Sequence, residues 1–218
     1  MNESTLATQL IQNIEQADSS DALLEAVEAL ADARLHSAVT TLIAVLSYNN
    51  PGAAVAAVDG LVQLGEVAVL PLLNLLDDYN YGGRAWAIRA LAEIGDPRAL
   101  ETLLEAAETD FSMSVRRAAA RGLGYLQWSK MPVEHLEAAQ ARVLETLLRS
   151  SQDGEWVVRY AAVVGLQGLA IAVRETKPKI VSHIGTHFEF MLKKDLDLAV
   201  RTRSRMAAEK LLVNSLEG

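Results

Sequence analysis

Between residues 77 and 105 the order of apolar and polar positions reads as one complete pair of helices. Tyr79-Asn-Tyr-Gly-Gly is a turn cluster, and residues 85–94 follow it with Ile88, Leu91 and Ile94 at the spacing of one inward helical stripe. Gly95 stands where a left-handed C-terminal cap is wanted and Asp96 where the next helix needs an N-cap. Pro97 takes that helix's first position, where a missing N–H costs nothing. Leu100, Leu103 and Leu104 then supply the second stripe.

The rest of the chain repeats this unit. Residues 61–65 match 91–95 at an offset of about 30, Leu123 matches Leu91 at about 32, and Leu166 matches Leu123 at about 43, the longer steps marking insertions. Ala99-Leu-Glu-Thr-Leu-Leu is echoed by Val143-Leu-Glu-Thr-Leu-Leu. A stricter signal is an Asp followed six positions later by an Arg, at Asp78/Arg84, Asp110/Arg116, Asp153/Arg159 and Asp195/Arg201. The expected fold is all-α, an alpha-alpha superhelix (solenoid) of about five helical-hairpin repeats forming one elongated domain over residues 1–218.

In chain order, 4–16 is expected to be a capping helix, followed by helices at 22–33, 36–47, 53–64 and 67–76. The half-helix 53–58 has no polar side, which calls for close packing between small-residue helices; a docking surface is the alternative. Beyond the central unit, 112–126 is a helix, 127–140 an insertion, 143–149 a resumption of the pattern and 156–173 a further helix. A final, less regular pair runs from Lys177-Pro178 to Asn214, as suits a terminal repeat with one face toward water.

Composition narrows the chemistry. Half of the residues are hydrophobic and only five are proline, while the formal net charge of -8 repels phosphate backbones and argues against nucleic acid. No basic region with a hydrophobic core opens the chain, so no secretory signal is expected. The uncharged run 37–58 is interrupted by Asn49-Asn50-Pro51-Gly52 and is not expected to span a membrane. With no cysteine there is no disulfide, no thiolate nucleophile and no Cys-based zinc site, and a cytoplasmic location is expected. Nor can such a chain carry a substrate through a thioether or thioester of its own.

The spaced Asp and Arg residues are expected to form a structural ladder, since one guanidinium can take several carboxylates and carbonyls at once. Arg89 and Arg121 differ: they occupy equivalent repeat positions, lack the spaced Asp and belong to neighbouring helices whose axes should lie about 8–10 Å apart. Trp86 lies three residues before Arg89 and projects from the same face. These residues make either an anion and ring site or a solvated arginine over an aromatic ring. His183 and His187 have helical metal spacing but no Glu between them, so no metal site is expected. Arg201, Arg203, Arg205 and Lys210 form a basic end, a solubilising cap or a patch that steers an acidic partner.

The form Val115-Arg-Arg-Ala-Ala-Ala-Arg-Gly-Leu-Gly, with Val158-Arg-Tyr-Ala-Ala, resembles the short HEAT-like repeats named after phycobilisome lyases. Tyr79-Asn-Tyr-Gly-Gly-Arg-Ala-Trp-Ala-Ile-Arg-Ala-Leu resembles the central repeat of the E/F-type phycobilin lyases, and the modest length is similar to that of their shorter, F-type (beta) subunits. The resemblance implies a heterodimer with a second, E-type (alpha) HEAT-like subunit that attaches phycocyanobilin by a thioether to a cysteine of the phycocyanin alpha chain. The bilin is then a substrate, with no tightly bound cofactor. Relatives that also isomerise the bilin are associated with a cysteine-containing motif, so plain attachment is implied here. On this reading Arg89 and Arg121 hold propionates, Trp86, Tyr79 and Tyr81 form an aromatic wall, and Asp96, or Asp78 were the ladder not to claim it, meets pyrrole N–H groups. The rival reading is a non-enzymatic HEAT-repeat adaptor in phycobilisome assembly or disassembly.

Overall fold

The computed structural model describes residues 2–77 and 81–213, with only the backbone given for Asp77, Tyr81, Gly82 and Val213. It divides into two compact units, Met1–Ala99 and Leu100–Gly218. The described residues hold helices and connecting turns and no strand.

Unit 1 contains α1 (Glu3–Glu15), α2 (Ser20–Asp32), α3 (Val39–Val45), α4 (Pro51–Leu64), α5 (Val69–Asp77) and α6 (Tyr81–Ile94). Helices α2, α4 and α6 stack in one row, and α3 and α5 in a second row behind it. The polar-free start of α4 is there for packing: Ala53, Ala54, Ala56, Ala57 and Val58 are all buried. Gly60 shows how close the row is, because a Cβ there would stand 2.7 Å from the Cβ of Ala31 on α2. The break ahead of α4 is built as the sequence proposes, with Asn50 accepting the Ala53 N–H at 3.0 Å and Pro51 in the first turn. Asn50 also donates to the carbonyl and hydroxyl of Ser20 at 3.1 and 2.9 Å, which ties the cap to the start of α2. Residues 51–76 are apolar and long enough to cross a membrane, yet they form two helices, separated at Gly65 with φ 69°. The Gly95 cap has the left-handed φ of 68° expected of it.

Unit 2 contains α7 (Leu100–Thr109), α8 (Met113–Leu123), α9 (Val133–Ser150), α10 (Trp156–Val173), α11 (Pro178–Lys194) and α12 (Leu198–Val213). Helices α8, α10 and α12 form the tight row. Between α8 and α10 the backbones touch: a Cβ on Gly124 would come within 2.0 Å of the Gly165 carbonyl oxygen, and one on Gly165 within 2.3 Å of that of Ala120. Helix α10 passes the length and composition test for a membrane span, but 61% of it is buried inside the unit. The insertion 127–140 is mostly helix, a turn at Trp128–Lys130 followed by extra N-terminal turns of α9. The terminal pair, expected to be less regular, consists of α11 and α12 of 17 and 16 residues, and Arg201 on α12 keeps the six-residue link to Asp195.

That register is held by the arginine ladder. The Nη1 of Arg116 donates to the carbonyls of Asp110 and Phe111 at 2.8 and 3.1 Å, while its Nε and Nη2 close on the Asp153 carboxylate at 2.7 and 3.2 Å. One pair of helices later, Arg159 repeats the grip on the carbonyls of Asp153 and Gly154 and on the Asp195 carboxylate at 2.8 and 3.0 Å. Each Asp also accepts the N–H two residues on, from Ser112, Glu155 and Asp197, so it shapes its own loop as well. The Asp78/Arg84 rung falls outside the described residues because Asp78 is not among them.

Burial pushes the Asp153 and Asp195 carboxyls up, but the hydrogen bonds and charges of the arginines, with the loop N–H bonds, outweigh it and hold both below their ordinary value. A carboxyl depressed in the folded state contributes stability above its unfolded pKa and loses it as pH falls through the folded one. Arg159→Ala is expected to cost about 1 to 3 kcal/mol at neutral pH by stranding Asp195, whose side chain is only 6% exposed. In thermal melts the gap between the variant and the wild type should close as pH drops below about 4; a gap independent of pH would contradict the ladder.

Candidate functional site

The residues singled out in the sequence fall into both units. In unit 1, Ala87, Ile88 and Leu91 of α6 are buried, which turns Trp86 and Arg89 outward together. The Arg89 guanidinium lies over the Trp86 ring at 5.8 Å from its centroid, and its Nε donates to Glu93 at 2.9 Å. The shared face is present, with the arginine resting on the aromatic ring and tied one turn along the helix. Tyr81 opens α6, but its side chain lies outside the described residues, as does all of Tyr79.

Asp96 is placed differently from its proposed role. It is buried, and its carboxylate accepts from the Nε, Nη2 and backbone N–H of Arg98 at 2.9, 2.8 and 2.9 Å. Arg98 reaches on to the carbonyl of Glu66 at 3.0 Å, so Asp96 fastens the turn Pro97–Ala99 to the turn Gly65–Ala68. A pyrrole N–H would have to break this buried grip, and the carboxylate is reassigned to holding the fold. It still caps the next turn, as its place in the sequence indicates.

In unit 2, Arg121 is exposed on α8 one turn after the exposed Arg117, and among the described residues neither has an ion pair. Tyr160 occupies on α10 the repeat position of Arg117 and is also exposed. The Tyr125 ring lies against α10 at Gly168, where a Cβ would meet its Cε2 at 3.2 Å. This face pairs two uncommitted cations with aromatic rings; the sequence reading included Arg121 and missed Tyr125 and Tyr160.

A second feature of unit 2 was not foreseen. Helices α7 and α9 meet less closely than the glycine-packed row, and the space between them is an open groove of about 440 Å³. Glu101, Glu105 and Glu108 recur along one side of α7, and Arg142, Glu145 and Arg149 face them from α9. Arg142 forks onto Glu101 at 2.6 and 2.7 Å, and its hydrogen bonds hold the Glu101 carboxyl below its ordinary value. Arg149 joins Glu108 and Glu145 at 2.9 and 3.0 Å, while the Thr146 hydroxyl donates to Glu108 at 2.6 Å. Exposed ion pairs like the first contribute at most about 1 kcal/mol, so their members are free to regroup around a ligand. The groove can thus offer guanidinium to an anion and carboxylate to an N–H donor in one place. Only the echo of Leu-Glu-Thr-Leu-Leu hinted at it, because Glu101 and Arg142 are far apart in sequence.

Of the two spaced histidines, His183 is exposed and His187 is tied into the fold. His187 Nε2–H donates to the Ser151 hydroxyl at 2.8 Å, and that hydroxyl donates to the Leu148 carbonyl at 2.6 Å. Burial, with some help from His183, lowers the pKa of His187. Among the described residues no three His, Asp or Glu side chains come together as a metal site.

Known proteins give this arrangement a context. Residues 69–167 match the HEAT repeats family. The phycocyanobilin lyase subunit beta of Pseudanabaena tenuis is 59% identical over 205 residues, 94% of this chain and 73% of that protein. The protein of the same name from Nostoc sp. is 51% identical over 202 residues, 93% of this chain and 98% of that one. A chain in the structure of the complex of CpcE and CpcF of phycocyanin lyase from Nostoc sp. superposes with a TM-score of 0.72 at 54% identity, covering 78% of this chain and 98% of that chain.

Proposed function

Because this chain belongs to the family of phycocyanobilin lyase beta subunits, we propose that it is one subunit of a heterodimeric lyase that attaches phycocyanobilin to a cysteine of the phycocyanin alpha chain. The observation that carries this reading is the 59% identity along 94% of the chain. The chain contains no cysteine, so the sulfur in the new bond is the acceptor's. Addition of that thiol across an exocyclic alkene of the bilin forms one C–S bond, sends the thiol proton to the bilin and releases nothing. The catalyst's task is therefore to hold and polarise the bilin against the incoming sulfur. A cytoplasmic location goes with this reading.

The groove between α7 and α9 is this chain's share of the bilin site. Arg142 and Arg149 exchange their exposed glutamates for the two propionates, and the released carboxylates of Glu101 and Glu108 turn to the pyrrole N–H groups. The second subunit supplies the opposite wall.

Mixing the chain, a candidate alpha subunit, phycocyanobilin and apo-phycocyanin alpha chain should give covalent fluorescence on a denaturing gel, and omission of either subunit should abolish it. Full activity from this chain alone would contradict the heterodimer. Binding to the acceptor without any covalent product would point to the adaptor reading. In bilin titrations of the heterodimer, Arg142→Ala and Arg149→Ala should each weaken binding about tenfold, the loss of one charge-assisted contact. If both bind like the wild type while Arg89→Ala or Arg121→Ala weakens binding, the bilin lies at the arginines first picked from the sequence.

A further inference from the structure

The groove between α7 and α9 has a charge balance that two propionates alone would make worse. Among the described residues its charged lining is Glu101, Glu105 and Glu108 on α7 and Arg142, Glu145 and Arg149 on α9, so four carboxylates face two guanidiniums. A bilin brings two more carboxylates. Six would then share the same two arginines, and like charges in one confined place repel unless positive charge arrives with the ligand.

The four carboxylates are not equally open to water. The Glu101 and Glu145 side chains are 71% and 72% exposed, so solvent screens them once their arginines turn away. Glu105 is exposed as well. Glu108 is the sheltered one, at 28%, with its Oε2 held by Nη1 of Arg149 at 2.9 Å and its Oε1 accepting from the Thr146 hydroxyl at 2.6 Å. Thr146 and Leu104 are both buried and form the floor. When Arg149 leaves for a propionate, the Thr146 hydroxyl still holds Glu108, and the groove keeps one fixed, shielded carboxylate without its counter-charge.

We infer that the groove takes the bilin as a cation, one proton being gained on binding, and that Glu108, fixed by Thr146, is the counter-ion of the protonated ring system. The inference rests on the lyase reading above and on the place it gives the bilin. In a neutral open-chain tetrapyrrole one ring nitrogen lacks a hydrogen, and a carboxylate beside that nitrogen favours its protonated form. The proton comes from solvent and stays on the ring nitrogen while the bilin is held. It also serves the addition, since a cationic conjugated system is more readily attacked by the acceptor's thiolate. Thr146 acts through Glu108, as a positioning residue.

The test uses the assembled heterodimer with phycocyanobilin. Titration calorimetry in buffers of different ionisation enthalpy counts the protons taken up, absorption follows the long-wavelength band of the protonated bilin, and a thermal melt accompanies each variant. The wild type should take up about one proton per bilin near neutral pH, and because the complex holds more protons than its free parts, affinity should fall about tenfold for each unit rise in pH there. Glu108→Gln should lose most of that uptake and the protonated band with it. Thr146→Val removes the hydroxyl with little change of shape and should lower the pH at which the bound bilin loses its proton, and Thr146→Ser should restore it. Glu108→Gln decides the matter should Thr146→Val melt early. Tight binding without proton uptake, or full uptake in Glu108→Gln, would overturn the inference and leave the bilin in the groove. A wild-type pH profile in a normally melting Thr146→Val would overturn the part given to Thr146. If the heterodimer binds no bilin, or if Arg142→Ala and Arg149→Ala bind it like the wild type, the groove reading and this inference fall together.

Discussion

Unit 2 depends on how one arginine side chain is shared between consecutive helix pairs. A guanidinium is planar, permanently charged and able to donate along two edges at once, and in Arg116 and Arg159 one edge fixes the loop just passed while the other fixes the loop to come. Lysine offers a single point charge and cannot do both. The grip is partly buried, with Arg159 and Asp195 side chains 15% and 6% exposed, so its loss leaves an uncompensated carboxylate rather than a solvated one. Direct backbone contact between α8 and α10 at Gly124, Gly165 and Gly168 needs such a register, because a shift of one helix along the other would set side chains where only glycine fits.

The same arrangement divides the surface into parts with different uses. The glycine-packed row leaves little room between its helices, whereas α7 and α9 stand apart and are bridged by long charged side chains. A rigid row behind and an adjustable, charge-lined groove in front accords with the proposed binding of an open-chain tetrapyrrole, because the scaffold does not have to move when the ion pairs regroup. On the proposed reading, a subunit without a thiol takes part in forming a C–S bond by positioning the bilin, while the reactive sulfur comes from the acceptor.

Much of this was legible in the sequence where the signal is local. The cap at Gly95, the break at Asn50-Pro51, the inward stripe of Ile88, Leu91 and Ile94 and the six-residue spacing of Asp110/Arg116, Asp153/Arg159 and Asp195/Arg201 all act within one or two turns, and each appears in the fold as expected. The longer half of the ladder was not legible in detail, since Arg116 reaches Asp153 and Arg159 reaches Asp195 only once the helix pairs are stacked. Asp96 was read as a free ligand because nothing in the sequence says that Arg98 will fold back onto it. The insertion was recognised without a secondary structure, because its helix adds turns ahead of the repeated segment, where no echo exists to compare it with. The α7 and α9 groove escaped for the same reason as the ladder's longer half, its two sides being distant in sequence.

The most direct test of the ladder is a double-mutant cycle on Arg159 and Asp195, with Arg159→Ala, Asp195→Ala and the pair unfolded in urea at neutral pH. The two groups share a bidentate contact at 2.8 and 3.0 Å, and the account predicts a coupling of about 1 kcal/mol or more, the double variant losing much less than the two single losses added together. Simple additivity, with a coupling indistinguishable from zero, would contradict it.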